Sequence, residues 1–322
     1  MLIDDNGACY LCPRKCGISR KDGKKGYCGA GAGILVARAA PHMWEEPCIS
    51  GENGSGAVFF AGCNLHCVYC QNKAISDGNG GEIVSIERLS EIFLELQEKK
   101  VYNINLVTPT HYAVQIREAV LKARERGLKI PIVYNCGGYE STKTVKALSD
   151  CVDIWMPDLK YISSETAARY SNCPDYFEKA VAALDEMTAA VKRKGGTAFA
   201  EQDGETPGDT SDRIMLRGVI VRHMLLPGYV GESKRILRFL HDRYGNDIYI
   251  SIMSQYTPMP HILKDDRFKE LHVKTDMKEY GRLVDFAVKI GIENAFVQEG
   301  ETAGESFIPA FDGEGVFSAS TK

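Results

Sequence analysis

Cys63, Cys67 and Cys70 lie within the stretch GCNLHCVYCQN (residues 62–72), which gathers three thiolates in one short run and supplies no fourth cysteine nearby. Closely spaced thiolates are soft ligands that select iron-sulfur clusters or zinc. Zinc would enlist His66 as a fourth ligand and make a closed, structural Cys3His site. A four-iron cubane held by three cysteines instead leaves one iron with an exchangeable position, so the missing ligand becomes the functional feature.

A second group, Cys9, Cys12, Cys16 and Cys28, has four thiolates and is able to close a site completely. Two readings stand side by side: a structural zinc that staples a segment of roughly 30 residues too small for its own core, or an auxiliary iron-sulfur cluster. Cys48 is a substitute for any one of the four. Seven of the 11 cysteines fall in the two groups, which isolated core cysteines would not do; Cys48, Cys136, Cys151 and Cys173 stand alone and read as small buried hydrophobes. The first residues, MLIDDNGACYLC, show no charged-then-apolar signal architecture, so the expected compartment is the cytoplasm, where thiols stay reduced.

The elements that must position these groups follow from the hydrophobic pattern. The 322 residues, 44% hydrophobic, are enough for one large core with a small appendage. A net charge of -4 and a pI near 6.0 leave no basic stripe for a nucleic acid, and no apolar run approaches the roughly 18 residues that span a bilayer. After residue 56 short apolar strands alternate with helix-period segments: AVFFA (57–61), NINLV (103–107), IPIVY (130–134), VDIWM (152–156), GVIVR (218–222) and IYISIM (248–253). Leu89, Ile92, Phe93 and Leu96, then Ile116, Ala119, Val120 and Ala123, repeat the i, i+3, i+4, i+7 spacing of a helix face. Alternation of this kind predicts an α/β fold with a parallel sheet and helical crossovers. Polar clusters follow the strands, GCNLHC, TPTHY, NCGG, PDLKY, HMLLPG and SQYTPM, and would converge on the strand C-terminal face that carries the chemistry of β/α barrels. Six units are too few to close a barrel of eight, so an open, partial (βα)6 TIM-like barrel is expected.

The C-x3-C-x2-C spacing after the first strand, with Tyr69 just before the last cysteine, resembles the signature of radical S-adenosylmethionine enzymes. GSGAVFFAGCNLHCVYCQN, MPDLKY and VRHMLLPG are similar to blocks of pyruvate formate-lyase activating enzyme and its relatives, and the match to activase-like proteins runs from CYLCPRKCG onward. The resemblance implies a [4Fe-4S] cluster on Cys63, Cys67 and Cys70 whose open iron chelates S-adenosylmethionine. Cleavage of the sulfonium would give a 5'-deoxyadenosyl radical that abstracts a substrate hydrogen. It further implies Tyr69 near the adenine, Asn135 and Cys136 near the ribose and methionine carboxylate, Asp158 and Lys160 in the D-L-K block, and Arg222 with His223 in the block of the fifth strand. Arg and Lys neutralise a carboxylate by charge-assisted hydrogen bonds, and Asp158 accepts from an ammonium. Relatives carry G-G-E after the second strand for the methionine ammonium; this chain reads Thr108-Pro109-Thr110-His111-Tyr112, so Thr108 and Thr110 are assigned there, and the departure points to a different substrate.

The expected organisation is a cysteine-rich metal-binding segment over 1–50, the partial barrel over 51–298 and a tail over 299–322 packing on the barrel. The polar stretch 195–212 reads as a surface connection. Three functions are weighed: an anaerobic activase that takes hydrogen from a glycine of a partner glycyl-radical enzyme, with a reductant such as flavodoxin or ferredoxin; a modifier of a small molecule or peptide by the same radical; and a non-catalytic cluster or zinc scaffold, against which the intact three-cysteine loop and the strand-end clusters argue.

Overall fold

The computed structural model of the protein describes residues 2, 3, 7–200, 213–298 and 308–317. Its strands are β1 (Ile34–His42), β2 (Ser55–Phe60), β3 (Glu82–Val84), β4 (Ile104–Val107), β5 (Ile132–Cys136), β6 (Ile154–Pro157), β7 (Ala198–Phe199), β8 (Met215–Met224), β9 (Tyr249–Met253) and β10 (Ala295–Val297). They order as β10-β9-β8-β6-β5-β4-β2-β1-β3, with β7 paired to β8. From β2 to β10 every neighbouring pair on this path is parallel, while β1 is antiparallel to β2 and to β3. The sheet is open between β10 and β3, as a partial barrel requires.

All six expected strands are present, and β4, β5, β6 and β9 are buried along their whole length, as apolar runs covered on both faces must be. The parallel set has a seventh member, β10, too short to stand out in the sequence. Two strands end two residues later than expected. β5 and β8 run on through Cys136 and Met224 because their neighbours continue the ladder, pairing Cys136 with Pro157 and Arg222, His223 and Met224 with Ser251, Ile252 and Met253. The sheet also takes in β1, so its strands begin before residue 51.

The crossovers are α3 (Ile86–Glu98), α4 (Ala113–Glu125), α5 (Thr142–Leu148), α6 (Ser164–Ser171), α7 (Tyr176–Arg193), α8 (Val230–Tyr244) and α10 (Met277–Lys289); α1 (Pro47–Ser50), α2 (Lys73–Ser76) and α9 (Pro260–Leu263) are single turns. Ser85 caps α3 by accepting from the Arg88 amide, and Leu89, Ile92, Phe93 and Leu96 are buried as their spacing predicts. In α4 the same holds for Ile116, Ala119, Val120 and Ala123. Each buried Leu, Ile, Phe or Val among these contributes about 1.5–3 kcal/mol by leaving water, and the alanines less. Residues 308–317 lie along β1: the Ala39 amide donates to the Glu314 carbonyl, the Gly313 amide to the Ala37 carbonyl, and Val316 is fully buried. Gly315 has φ +72, and a Cβ there would meet the Ala39 carbonyl, so only glycine allows this approach. Residues 201–212 of the polar connection and 299–307 of the tail fall outside the described residues. Among the described residues no helix is long and apolar enough to cross a membrane.

Candidate active site

The ladder that fixes the strand ends also builds a shelf of backbone on one face. The Thr108 amide donates to the Asn135 carbonyl, the Asp158 amide to the Cys136 carbonyl and the Leu159 amide to the Arg222 carbonyl, each at 2.8–2.9 Å. The polar residues at the ends of β4, β5, β6 and β8 are thereby aligned beside the loop after β2. A cavity of about 250 Å³ opens there, and Cys63, Cys67, Tyr69, Cys70, Thr108, Asn135, Cys136, Asp158, Lys160 and Arg222 all line it.

The loop itself begins at Gly62, with φ +100; a Cβ at that position would clash with the Cys28 carbonyl. The Cys63 amide donates to that same carbonyl at 3.0 Å, the Cys70 amide to the Cys67 carbonyl, and the Val68 amide to the Tyr170 carbonyl. Burial pushes the Cys63 thiol up to about 11 and the Cys70 thiol up to about 12, so a metal that takes these ligands must displace their protons. Ser171 Oγ donates to Cys67 Sγ at 2.9 Å, and a buried chain continues from Ser171 through the hydroxyls of Tyr161 and Tyr69 at 2.8 and 2.7 Å.

His66 does not join the thiols. Its Nε2 bonds the Tyr27 carbonyl at 2.8 Å and its Nδ1 faces Asp77 at 3.2 Å, so both ring nitrogens are taken and the imidazole lies outside the cavity lining. The three spaced thiols therefore reach the cavity without His66, which fits a cubane with one exchangeable iron and not a closed Cys3His zinc; Cys136 also lines the cavity, from β5. Among the described residues no three His, Cys, Asp or Glu side chains close around a single ion position; a cubane spreads its cysteines over separate irons.

The charged part of the lining is one network. Arg222 donates to Asp158 Oδ1 at 3.0 Å, to Asn135 Oδ1 at 2.7 Å and to Glu45 Oε2 at 3.4 Å, and Lys160 Nζ donates to Asp158 Oδ2 at 2.6 Å. Burial works against the Asp158 charge, but Lys160 and Arg222 outweigh it and hold the carboxyl below the ordinary range. Glu45 has the opposite balance: burial raises it to about 7 despite Arg222 and a hydrogen bond from Asn105.

Two expected site residues point elsewhere. His223 is buried between the Leu159 carbonyl, at 2.7 Å from Nδ1, and Ser233 Oγ, at 2.8 Å from Nε2, where it ties β8 to α8. Thr110 donates to Glu140 Oε1 at 2.5 Å, and Tyr134 donates to Glu140 Oε2 at 3.2 Å, both in the interior. Thr108 does reach the cavity, in a left-handed backbone conformation at φ +58 that is rare for a β-branched residue. The sequence reading missed His42, Trp44 and Glu45, which enter the cavity from the end of β1 and the turn that follows it, and Gln71, Met253 and Gln255. The only hint was an acidic pair, Glu45-Glu46, beside a tryptophan.

Glu140 gives a test of the interior beneath this shelf. Burial raises its carboxyl from the ordinary 4.5 to about 7, against the three hydrogen bonds that favour ionisation. The folded protein thus holds a proton that the unfolded chain releases, and stability falls as pH rises from about 4.5 through 7. Glu140→Gln removes the titration: its unfolding free energy, measured by urea denaturation, should gain on the wild type between pH 5 and pH 8 by on the order of 3 kcal/mol. A constant difference between the two proteins across that range would refute the burial argument.

Residues 57–200 match the model of the Radical SAM superfamily. The uncharacterised protein MJ0674 of Methanocaldococcus jannaschii is 22% identical over 294 residues, covering 88% of this chain and 75% of that protein. A second uncharacterised protein of that organism, MJ0808, is 29% identical over 177 residues, 49% of this chain and 51% of its own length. Among solved structures, Streptococcus suis SuiB bound to its precursor peptide SuiA matches 74% of this chain with 11% identity and a TM-score of 0.49, and the chain spans about half of SuiB, 47%. Methylornithine synthase (PylB) matches 70% of this chain and 60% of its own, with 16% identity and a TM-score of 0.45.

Proposed function

Because residues 57–200 match the model of the Radical SAM superfamily, we propose that the protein cleaves S-adenosylmethionine reductively at a [4Fe-4S] cluster on Cys63, Cys67 and Cys70 and abstracts hydrogen from a substrate. The observation that carries this reading is that the three thiols, without His66, line the cavity that also holds the Asp158, Lys160 and Arg222 charges. When bound, the cluster and S-adenosylmethionine supply a one-electron cleavage of a carbon-sulfur bond and a 5'-deoxyadenosyl radical. The chain does the rest. Lys160 and Arg222 present cations to a carboxylate, and Asp158 and Asn135 hold those cations in place. Tyr69 offers an aromatic face to an adenine, while Leu65, Val107, Met224 and Met253 keep the cavity apolar beside the thiols.

For the substrate, we read the protein as an activase that takes hydrogen from a glycine of a glycyl-radical enzyme, fed by a flavodoxin- or ferredoxin-type reductant. Support comes from the likeness of GSGAVFFAGCNLHCVYCQN, MPDLKY and VRHMLLPG to activase blocks. The Thr108–Tyr112 departure, which puts a strained threonine on the cavity, favours a second reading, the modification of a small molecule or peptide. The Cys9, Cys12, Cys16 and Cys28 group belongs to the proposal as a second metal site, zinc or iron-sulfur. The deciding experiment mixes reduced protein and S-adenosylmethionine with candidate glycyl-radical enzymes of the same organism. A persistent glycine-centred doublet in the electron paramagnetic resonance spectrum of a partner establishes activation. If none appears while a peptide or metabolite fraction stimulates release of 5'-deoxyadenosine, the activase reading falls and the second stands.

A further inference from the structure

The cysteine-rich segment before residue 30 is bonded directly to the loop that carries the three site thiols. Arg14, between Cys12 and Cys16 in the chain, donates from Nε to the Asn64 carbonyl at 2.9 Å, inside the loop. Its other two nitrogens donate to the carbonyls of Ser171 and Asn172 at 3.0 and 2.6 Å, where α6 ends and its last carbonyls need donors. Ser171 is also the residue whose hydroxyl donates to Cys67 Sγ. The guanidinium is held over the Tyr27 ring at 4.2 Å and near the Tyr139 ring at 5.2 Å. One planar group therefore joins the four-thiol segment to both the backbone and the hydrogen-bond donor of the site loop, and the Cys28 carbonyl joins the same loop at the Cys63 amide.

The segment also carries its own charge signal. Arg20 is 8% exposed, with one terminal nitrogen 3.2 Å from Cys9 Sγ and 3.9 Å from Cys28 Sγ. Its other terminal nitrogen donates to the His111 carbonyl, and its Nε is buried without a partner. A Cβ on Gly26 would lie 3.3 Å from Cys16 Sγ and 3.6 Å from Cys28 Sγ, so these two thiols flank one glycine. A buried guanidinium among thiols is costly unless the thiols carry negative charge, as they do when they bind a metal. We propose that Cys9, Cys12, Cys16 and Cys28 hold a metal centre that clamps the site loop, with Arg14 as the positioning residue, so that occupancy of this centre governs how firmly Cys63, Cys67 and Cys70 retain their cluster. This rests on the cluster reading above.

The test uses full-length protein prepared without oxygen. Metal analysis of a Cys63→Ala/Cys67→Ala/Cys70→Ala variant reports the N-terminal group alone; about one zinc, or several irons with sulfide, supports the centre, and no metal overturns it. Cluster retention at the site loop is then followed through the paramagnetic resonance signal that shifts when S-adenosylmethionine is added, during challenge with an iron chelator. Cys12→Ser/Cys16→Ser and, separately, Arg14→Gln should each speed the loss of that signal about tenfold or more, the usual cost of removing an outer-shell support. Arg14→Gln should do so with the N-terminal metal still bound and with wild-type circular dichroism. Wild-type retention in either variant overturns the clamp while leaving the cluster reading intact. A wild type that never shows the responsive signal overturns the cluster reading, and the clamp with it.

Discussion

Cys67→Ala, reconstituted with iron and sulfide under reducing, oxygen-free conditions, should lose the about four irons that the wild type binds at the site loop, and with them all production of 5'-deoxyadenosine. Cys67 is the central one of three thiols, the one that accepts from Ser171; Cys136 also lines the cavity but is held in the β5 ladder, outside the loop that carries the three. Iron and sulfide analysis with the visible absorption spectrum reads the outcome. If the Cys63→Ala/Cys67→Ala/Cys70→Ala variant kept the wild-type iron and spectrum, the cluster would have to lie elsewhere.

The second large effect is expected at Arg222. It is the hub of the buried charges, and its three donors reach three acceptors on three different segments: Asp158 after β6, Asn135 on β5 and Glu45 between β1 and β2. Arg222→Ala leaves two carboxylates without their shared cation, and removing one partner of a buried pair costs about 3–5 kcal/mol. Affinity for S-adenosylmethionine should fall as well, because a cation of the cavity wall is lost. Arg222→Lys separates the two causes. A single ammonium restores the charge but cannot span three acceptors, so it should recover part of the stability and little of the geometry. Asp158→Ala should act in the same direction through the freed Lys160. Urea unfolding and equilibrium binding of S-adenosylmethionine measure both effects; unchanged affinity in the Arg222 and Asp158 variants would remove these residues from the cofactor site.

Much of this was legible in the linear chain because its signals are local. The spacing of Cys63, Cys67 and Cys70 is fixed by the turn that must present them together. The period of Leu89, Ile92, Phe93 and Leu96 is that of one helix face. The order of strand, polar cluster and helix determines that Thr108, Asn135, Asp158 and Arg222 stand at successive strand ends, since parallel strands joined by helical crossovers place their ends on one face.

What the chain order could not decide was direction. Thr108 and Thr110 are two residues apart, yet one lines the cavity and the other turns inward to Glu140; Arg222 and His223 are adjacent, yet successive residues of a strand point to opposite faces and only Arg222 faces the charges. Nor does sequence spacing connect residues far apart in the chain. Glu45 meets Arg222 across 177 positions because β1 pairs antiparallel with β2, and Arg14 meets Ser171 across 157 because the cysteine-rich segment packs against the end of α6. The residue types and their chemistry were set by the sequence; which of them face the same cavity was set by side-chain alternation and long-range packing, which exist only once the sheet has formed.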